Sequence, residues 1–267
     1  MGKDKLRKFR ENETFECLIQ PTTNEVLGQD HPLKGKWGEK IFGNSNPIVV
    51  ELGCGKGEYT VDLAQRNPSC NYIGVDIKGA RLWKGAKYVT ENGLKNVAFL
   101  RTRIEFIESL FAEGEISEIW ITFADPQIGR EKKRLTSPLF LSRYRNFLAK
   151  DGIVHLKTDS PYLHEYSKAI AQQNGLSILA CGADIYGEDR QQLYESGLAS
   201  VCGSAMIDAL FEVQTFYESH FIAQGYKITY LSFKIDHEGA YISPDWEEEK
   251  YKGENHQAFA LEFKKPN

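Results

Sequence analysis

Val49-Val50-Glu51-Leu52-Gly53-Cys54-Gly55-Lys56-Gly57-Glu58 decides the fold. An apolar run that stops in an acid and then in three alternating glycines predicts a buried parallel strand. It is followed by a turn without Cβ atoms, where backbone bends tightly and comes close to a ligand. Residues 58–65 are predicted as the next helix. A glycine-rich strand-to-helix turn is where doubly wound sheets bind nucleotide-like ligands.

The spacing is Gly-x-Gly-x-Gly, not the Gly-x-Gly-x-x-Gly that seats a pyrophosphate on a helix N-terminus. Glu51 stands just before it. A carboxylate there repels a diphosphate but pairs with a cation such as a sulfonium or an α-amino group, which favours S-adenosyl-L-methionine over NAD. The next strand, 72–76, ends in Asp76, 19 residues after Gly57, where a carboxylate can accept hydrogen bonds from both ribose hydroxyls. The plain alternative is a tight turn followed by an ordinary strand-end acid; an acid on each side of the turn weighs against it.

Strand and helix patterns then alternate. Strands are predicted at 97–100, 116–123 and 152–158, and helices at 79–93, 104–111, 139–148 and 162–174, the pattern of a parallel sheet with helices on both faces. A sixth strand is expected at 177–185, a helix at 215–224 stopped by Gly225, and a last strand at 226–235 that suits an antiparallel edge; 187–213 has no readable period. Residues 13–46, with Pro21, Pro32 and short apolar pieces, are expected to be an irregular lead-in.

The chain has 267 residues, 41% hydrophobic and 26% charged, which is ordinary for a globular protein with ample core. No apolar run nears the roughly 20 residues of a bilayer span, and Met1-Gly2-Lys3-Asp4-Lys5 opens no signal peptide. A cytoplasmic protein without a membrane partner is expected. The five cysteines, Cys17, Cys54, Cys70, Cys181 and Cys202, form no C-x-x-C pair; free thiols and no metal site are expected. The net charge of −4 hides an asymmetry: residues 1–157 carry +5 and 158–267 carry −9. A polyanion therefore still has a basic half to bind. Lys3, Lys5, Arg7, Lys8 and Arg10 are either a solvated terminus or an arm that clamps a phosphate backbone.

Three further stretches carry chemistry. Asp125-Pro126 ends the 116–123 strand at the edge where open sheets bind ligands, and Arg130, Lys132, Lys133 and Arg134 follow it. Such a run is either a solvated face or a phosphate-binding loop. Asp159 ends the next strand and is either a cap for the helix beginning near Pro161 or a site residue. Thr215 and Glu218 have the spacing of a capping box, which does not separate cap from site.

Taken together, the chain resembles the bacterial tRNA (guanine-N7)-methyltransferases, the TrmB family. The resemblance runs from roughly residue 48 to 233. It rests on Glu51-Leu52-Gly53-Cys54-Gly55-Lys56-Gly57, on Phe123-Ala124-Asp125-Pro126 with Lys132-Lys133-Arg134-Leu135, on His155-Leu156-Lys157-Thr158-Asp159, and on Thr215-x-x-Glu218 before Gly225. The first motif is common to many methyltransferases; the ordered set of the others is specific.

The resemblance implies a class I S-adenosylmethionine-dependent, Rossmann-like fold: a mostly parallel seven-stranded sheet with helices on both faces. With the charge and composition of the two ends, the expected division is a basic N-terminal arm and lead-in at 1–46, a methyltransferase domain at 47–235 and a polar appendage at 236–267. The expected cofactor-binding residues are Glu51, Gly53, Gly55, Asp76, Arg103 and Asp125, with Asp125 also catalytic; Asp159, Thr215 and Glu218 are expected to meet the target guanine of tRNA, by family guanosine 46, and Arg130 is a further expected substrate-binding residue. In that picture Asp159 and Glu218 accept from the guanine N1–H and N2–H₂ edge. Two departures stand out. Where the family has Asp-Pro-Trp-Pro-Lys, this chain has Gln127, Ile128 and Gly129 and a loop about two residues shorter, which makes Arg130 the nearest substitute for the lysine. Arg103 stands where the family commonly has an acid or amide. A small-molecule methyltransferase and a tRNA-binding homologue without turnover are the rival readings; monomer and homodimer both fit.

Overall fold

The computed structural model describes residues 3–196, 198–202 and 204–246; the expected appendage falls outside the described residues from 247 onward. Strand β2 (Ile48–Leu52) is buried along its whole length, as the apolar run predicts. After the short β1 (Leu18–Ile19) come β3 (Asn71–Asp76), β4 (Val97–Arg101), β5 (Ile116–Thr122), β6 (Leu148–Thr158), β7 (Ile178–Gly182) and β8 (Thr229–Lys234), in the spatial order β1-β4-β3-β2-β5-β6-β8-β7. The first six run parallel to one another, whereas β8 runs antiparallel to both β6 and β7. The sheet thus has eight strands rather than seven. The additional one, β1, pairs only Leu18 and Ile19 with Phe99 and Leu100, too short a stretch to show alternation.

Both faces of the sheet are covered, and β2 feeds both: Val50 and Leu52 join one apolar cluster, Val49 the other. Helices α5 (Pro138–Arg145) and α6 (Pro161–Gln173) cover the first face with Phe140, Tyr144, Leu163, Tyr166 and Ile170. Helices α3 (Glu58–Arg66) and α4 (Gly79–Asn92) cover the second with Tyr59, Leu63, Leu82 and Ala86. The stretch 187–213 holds α7 (Arg190–Glu195), α8 (Leu198–Cys202) and α9 (Ser204–Glu212), and α9 packs its apolar side on the second face. The helix expected at 104–111 is a 3₁₀ segment, Ile104–Ser109, and the one at 139–148 ends early because Leu148 already begins β6. Helix α10 (Phe216–Ala223) precedes β8. No helix among the described residues is long and apolar enough to cross a membrane.

The N-terminal residues are helical from Lys3 to Asn12, forming α1. Its docking on α4 follows from Trp83, whose Nε1–H donates to Glu11 (2.6 Å) while the Arg7 and Lys8 cations lie 5.0 and 4.8 Å from its ring centre. Asn12 is buried and donates to the Gly79 carbonyl at 2.9 Å. The basic residues of this segment are thus partly committed to the protein itself.

Close approach of α3, α4 and β4 depends on two glycines that face Phe99. A Cβ on Gly57 would run into the Phe99 ring, and one on Gly85 would lie 2.5 Å from that ring and 2.7 Å from the Lys56 carbonyl. Gly85→Ala is expected to cost about 1–3 kcal/mol by overpacking, readable as a fall of several degrees in melting temperature, although alanine is the better helix former.

Candidate active site

The glycine turn is held from below and from the side. Gly53, Gly55 and Gly57 have φ of 81°, 59° and 75°, the left-handed region that side chains resist. Val75 on the neighbouring strand accepts from Gly53 N–H (2.8 Å) and Cys54 N–H (3.0 Å). Asp76 Oδ2 accepts from Gly55 N–H at 3.0 Å, and its Oδ1 from Lys78 N–H at 2.7 Å. Beneath the turn Glu51 is buried. Gly57, at the N-cap of α3, has no side chain to cap with; Glu51 supplies the missing acceptor, taking Thr60 N–H at 2.9 Å together with the Thr60 hydroxyl, while Thr122 Oγ1 donates to its other oxygen at 2.5 Å. Burial pushes the Glu51 carboxyl above its ordinary range, and these donors hold it back.

Five parallel strands end along this edge, and a cleft of about 520 Å³ opens there, lined by Gly53, Asp76, Arg103 and Asp125 among others. A Cβ on Gly53 or Gly55 would meet nothing within 4 Å, so these glycines leave open space above the turn. Arg103 sits at the rim, paired with Glu105 at 3.2 Å and 5.6 Å from the Phe106 ring centre. Asp125 is exposed, and its Oδ1 accepts from Gln127 N–H at 2.9 Å. Phe123 and Gln127, either side of Asp125-Pro126, both have φ of 50°. Non-glycine residues held there are strained, and such strain collects at functional sites. A depression of about 640 Å³ lies at the other sheet edge, beside Pro47 and Ser117, where Glu115 spends its carboxylate on the Gly35, Trp37 and Ala112 N–H groups.

The residues expected at the substrate lie outside the lining of the cleft and differ in kind. Arg130 is exposed, as are Lys132 and Lys133, and Lys133 reaches the cleft. Arg134, the last cation of that run, is buried. At the end of β6, Ser160 caps α6 by accepting from Leu163 N–H (3.1 Å), so Asp159 is not used as the cap. Asp159 is mostly buried, and burial without an adjacent cation among the described residues raises its carboxyl to about 6. Thr215 and Glu218 form the capping box of α10, with Glu218 N–H donating to Thr215 Oγ1 at 3.2 Å. Glu218 is fully buried. Its Oε1 lies 2.6 Å from Lys157 Nζ and accepts from Tyr186 OH at 2.7 Å. Lys157, equally buried, also donates to the Leu210 carbonyl at 2.7 Å, and burial lowers its pKa against the pull of Glu218. The N-terminus of α10 docks back on the glycine turn: Phe216 N–H donates to Glu58 (3.1 Å), and Lys56 lies over the Phe216 ring at 4.5 Å.

Neither the Lys157–Glu218 pair nor the burial of Arg134 is signalled by composition. The hint for Lys157 is a lone lysine within an apolar strand, which needs a counter-charge from elsewhere. Glu118, His155 and Cys202 are grouped closely enough to ligate a metal, but at the opposite end of β5. Both His155 ring nitrogens are already engaged, by Glu118 (3.1 Å) and Tyr230 OH (2.7 Å), and the ring stacks on Trp120.

A family model described as "Putative methyltransferase" matches residues 45–188. A tRNA (guanine-N(7)-)-methyltransferase of Christiangramia forsetii is 52% identical over 236 residues, 88% of this chain and 99% of that one. The chain belongs to the tRNA (guanine-N(7)-)-methyltransferase family. Its relative from Bacteroides fragilis is 44% identical, over 92% of both chains, and one from Streptococcus agalactiae is 35% identical over 69% of this chain and 88% of that one. Among solved structures, the 16S rRNA methyltransferase KamB superposes with a TM-score of 0.51 at 16% identity, covering 77% of this chain and 92% of that one. The fold is the class I S-adenosylmethionine-dependent methyltransferase fold, here with the two-residue β1 added at one edge.

In this methyltransferase the buried pair gives a sharp expectation. Glu218→Gln leaves the Lys157 ammonium buried without its counter-charge and should cost about 3–5 kcal/mol in chemical denaturation. Lys157→Met combined with Glu218→Gln should recover part of that loss.

Proposed function

We propose that the chain transfers a methyl group from S-adenosyl-L-methionine to N7 of a guanine in tRNA, with guanosine 46 of the variable loop as the target position. The observation that carries the reading is the gathering of Gly53, Asp76 and Asp125 around one cleft, with Asp159 at the end of the adjacent parallel strand. The donor set suits the cofactor: open space above Gly53 and Gly55 for close backbone approach, Asp76 for ribose hydroxyls, and Asp125 beside the reacting centre. Arg103 stacks or donates at the adenine side of the cleft. S-adenosylmethionine, when bound, supplies an electrophilic methyl on its sulfonium.

Guanine N7 carries an in-plane lone pair and no proton near neutrality, so the protein needs no base to make the nucleophile. Its work is to align the ring and to stabilise the positive charge that develops on it. Asp159 accepts from the guanine N1–H and N2–H₂ edge, which adenine does not offer. Thr215 and Glu218 serve this by fixing the start of α10 over the glycine turn; the buried position of Glu218 supports that indirect part better than contact with the base. Arg130, Lys132 and Lys133 face the tRNA phosphates, and the expected salt dependence follows from displaced counterions.

Incubating the protein with unmodified tRNA and labelled S-adenosylmethionine, then digesting to nucleosides, should yield 7-methylguanosine; bound but unmethylated tRNA would overturn the reading. A transcript with adenosine at position 46 should remain unlabelled. Because the Asp159 carboxyl titrates near pH 6, the methylation rate should fall on acidification through that pH as the acceptor is protonated.

The same raised pKa fixes the sign of a stability effect. Protonation of Asp159 favours the folded state, so its contribution is complete below the ordinary value of 3.8 and lost as pH rises through about 6. Asp159→Asn should therefore be more stable than the wild type at pH 7.5, by about 2 kcal/mol, with the difference vanishing near pH 3.5, while kcat/KM drops a hundredfold or more. A variant that kept full activity would remove Asp159 from the site.

A further inference from the structure

We infer that Arg134 is a positioning residue, whose buried guanidinium clamps the Asp125 turn to the start of α6 and thereby fixes Asp125 and Asp159 relative to each other. The inference deepens the proposed function and rests on it. In the sequence Arg134 is only the last cation of a run aimed at phosphate; in the structure it is fully buried. Its Nε donates to the Pro126 carbonyl at 2.9 Å, and its Nη2 donates to the Gln127 carbonyl at 3.2 Å and to the Tyr162 hydroxyl. The guanidinium carbon lies 3.9 Å from the Tyr166 ring centre and 4.8 Å from that of Tyr162. Tyr166 OH in turn donates to Glu131 at 2.5 Å, so the loop is tied to α6 at a second point.

The clamp acts on a strained residue. Gln127 has a left-handed φ; Asp125 holds its N–H and Arg134 holds its carbonyl. Such a conformation persists only where the surroundings over-determine it. The other jaw is Tyr162, in the first turn of α6, three residues beyond Asp159. Adjacent strands β5 and β6 fix where the two acid-bearing turns begin, with Thr122 opposite Lys157, and Arg134 joins them beyond the sheet. A lysine has no planar fork to serve these acceptors while stacking on a ring.

The test compares wild type, Arg134→Lys and Tyr162→Phe by steady-state kinetics, by tRNA affinity as a function of salt, and by hydrogen exchange of residues 123–130. For Arg134→Lys, kcat should fall at least thirtyfold, as displacement of catalytic groups by about 1 Å can cost a hundredfold. Its tRNA Kd and salt slope should stay within twofold of wild type, and exchange at 123–130 should accelerate at least tenfold. Tyr162→Phe, which loses only a hydroxyl, should move kcat and exchange in the same direction by a smaller factor, and it carries the test if Arg134→Lys does not fold. Weaker tRNA binding with a salt slope reduced by about one and unchanged kcat would make Arg134 a phosphate ligand and overturn the inference. Unchanged exchange at 123–130 would overturn it as well, whatever the activity. Absence of 7-methylguanosine from the wild-type reaction would instead sink the proposed function, leaving the exchange measurement to judge the clamp.

Discussion

A buried carboxylate with no cation beside it among the described residues holds the glycine turn in shape. Glu51 sits at the end of the central strand β2, takes the N–H that Gly57 cannot cap, and reaches across to Thr122 on β5. Three elements, β2, α3 and β5, are thus registered through one side chain at the level where the chain turns back. The glycines above it adopt left-handed backbone at no steric cost, and this support sets where the helix that follows them begins. If Glu51 were replaced by an apolar residue, the Thr60 amide and two hydroxyls would lose a shared acceptor in a dry interior, where unpaired polar groups are most expensive.

Electrostatics along this edge is sorted by solvation. Asp125 is exposed and engaged with backbone, Asp76 is buried and tied to two amides, and Asp159 is partly buried and has its carboxyl raised. Glu218 is fully buried and is matched by Lys157. One chemical group therefore appears in four environments, and Glu218 differs from Asp159 in having a buried cation beside it. The positive groups divide in the same way: Arg130, Lys132 and Lys133 face water, whereas Arg134 and Lys157 are internal.

The strands β2 to β6 were legible in the sequence because both faces of a parallel sheet are covered and their residues are apolar throughout. Acids at strand ends were legible because the edge of such a sheet is where polar groups converge. Other features were not. Leu18–Ile19 is too short to carry a period, and its strand exists only because β4 offers an open edge. The run from Arg130 to Arg134 gives no sign that its last member turns inward, since that depends on Tyr162 and Tyr166 arriving from α6. Glu218 looked equally like cap and site; in the structure it completes the capping box of α10 and its other oxygen pairs with Lys157, a pairing between segments far apart in the chain. Ser160 rather than Asp159 caps α6, a one-residue difference that frees the acid.

The reversed strand β8 lies between β6 and β7. During synthesis, therefore, β7 leaves the ribosome with no sheet partner, and Lys157 on the finished β6 has no counter-ion until residue 218 emerges. The parallel half of the sheet can assemble early, but its reversed end is completed only when residues 216–234 have been made. A nascent chain of this enzyme thus has its glycine turn in place before the Lys157–Glu218 pair can form, an order set by threading alone.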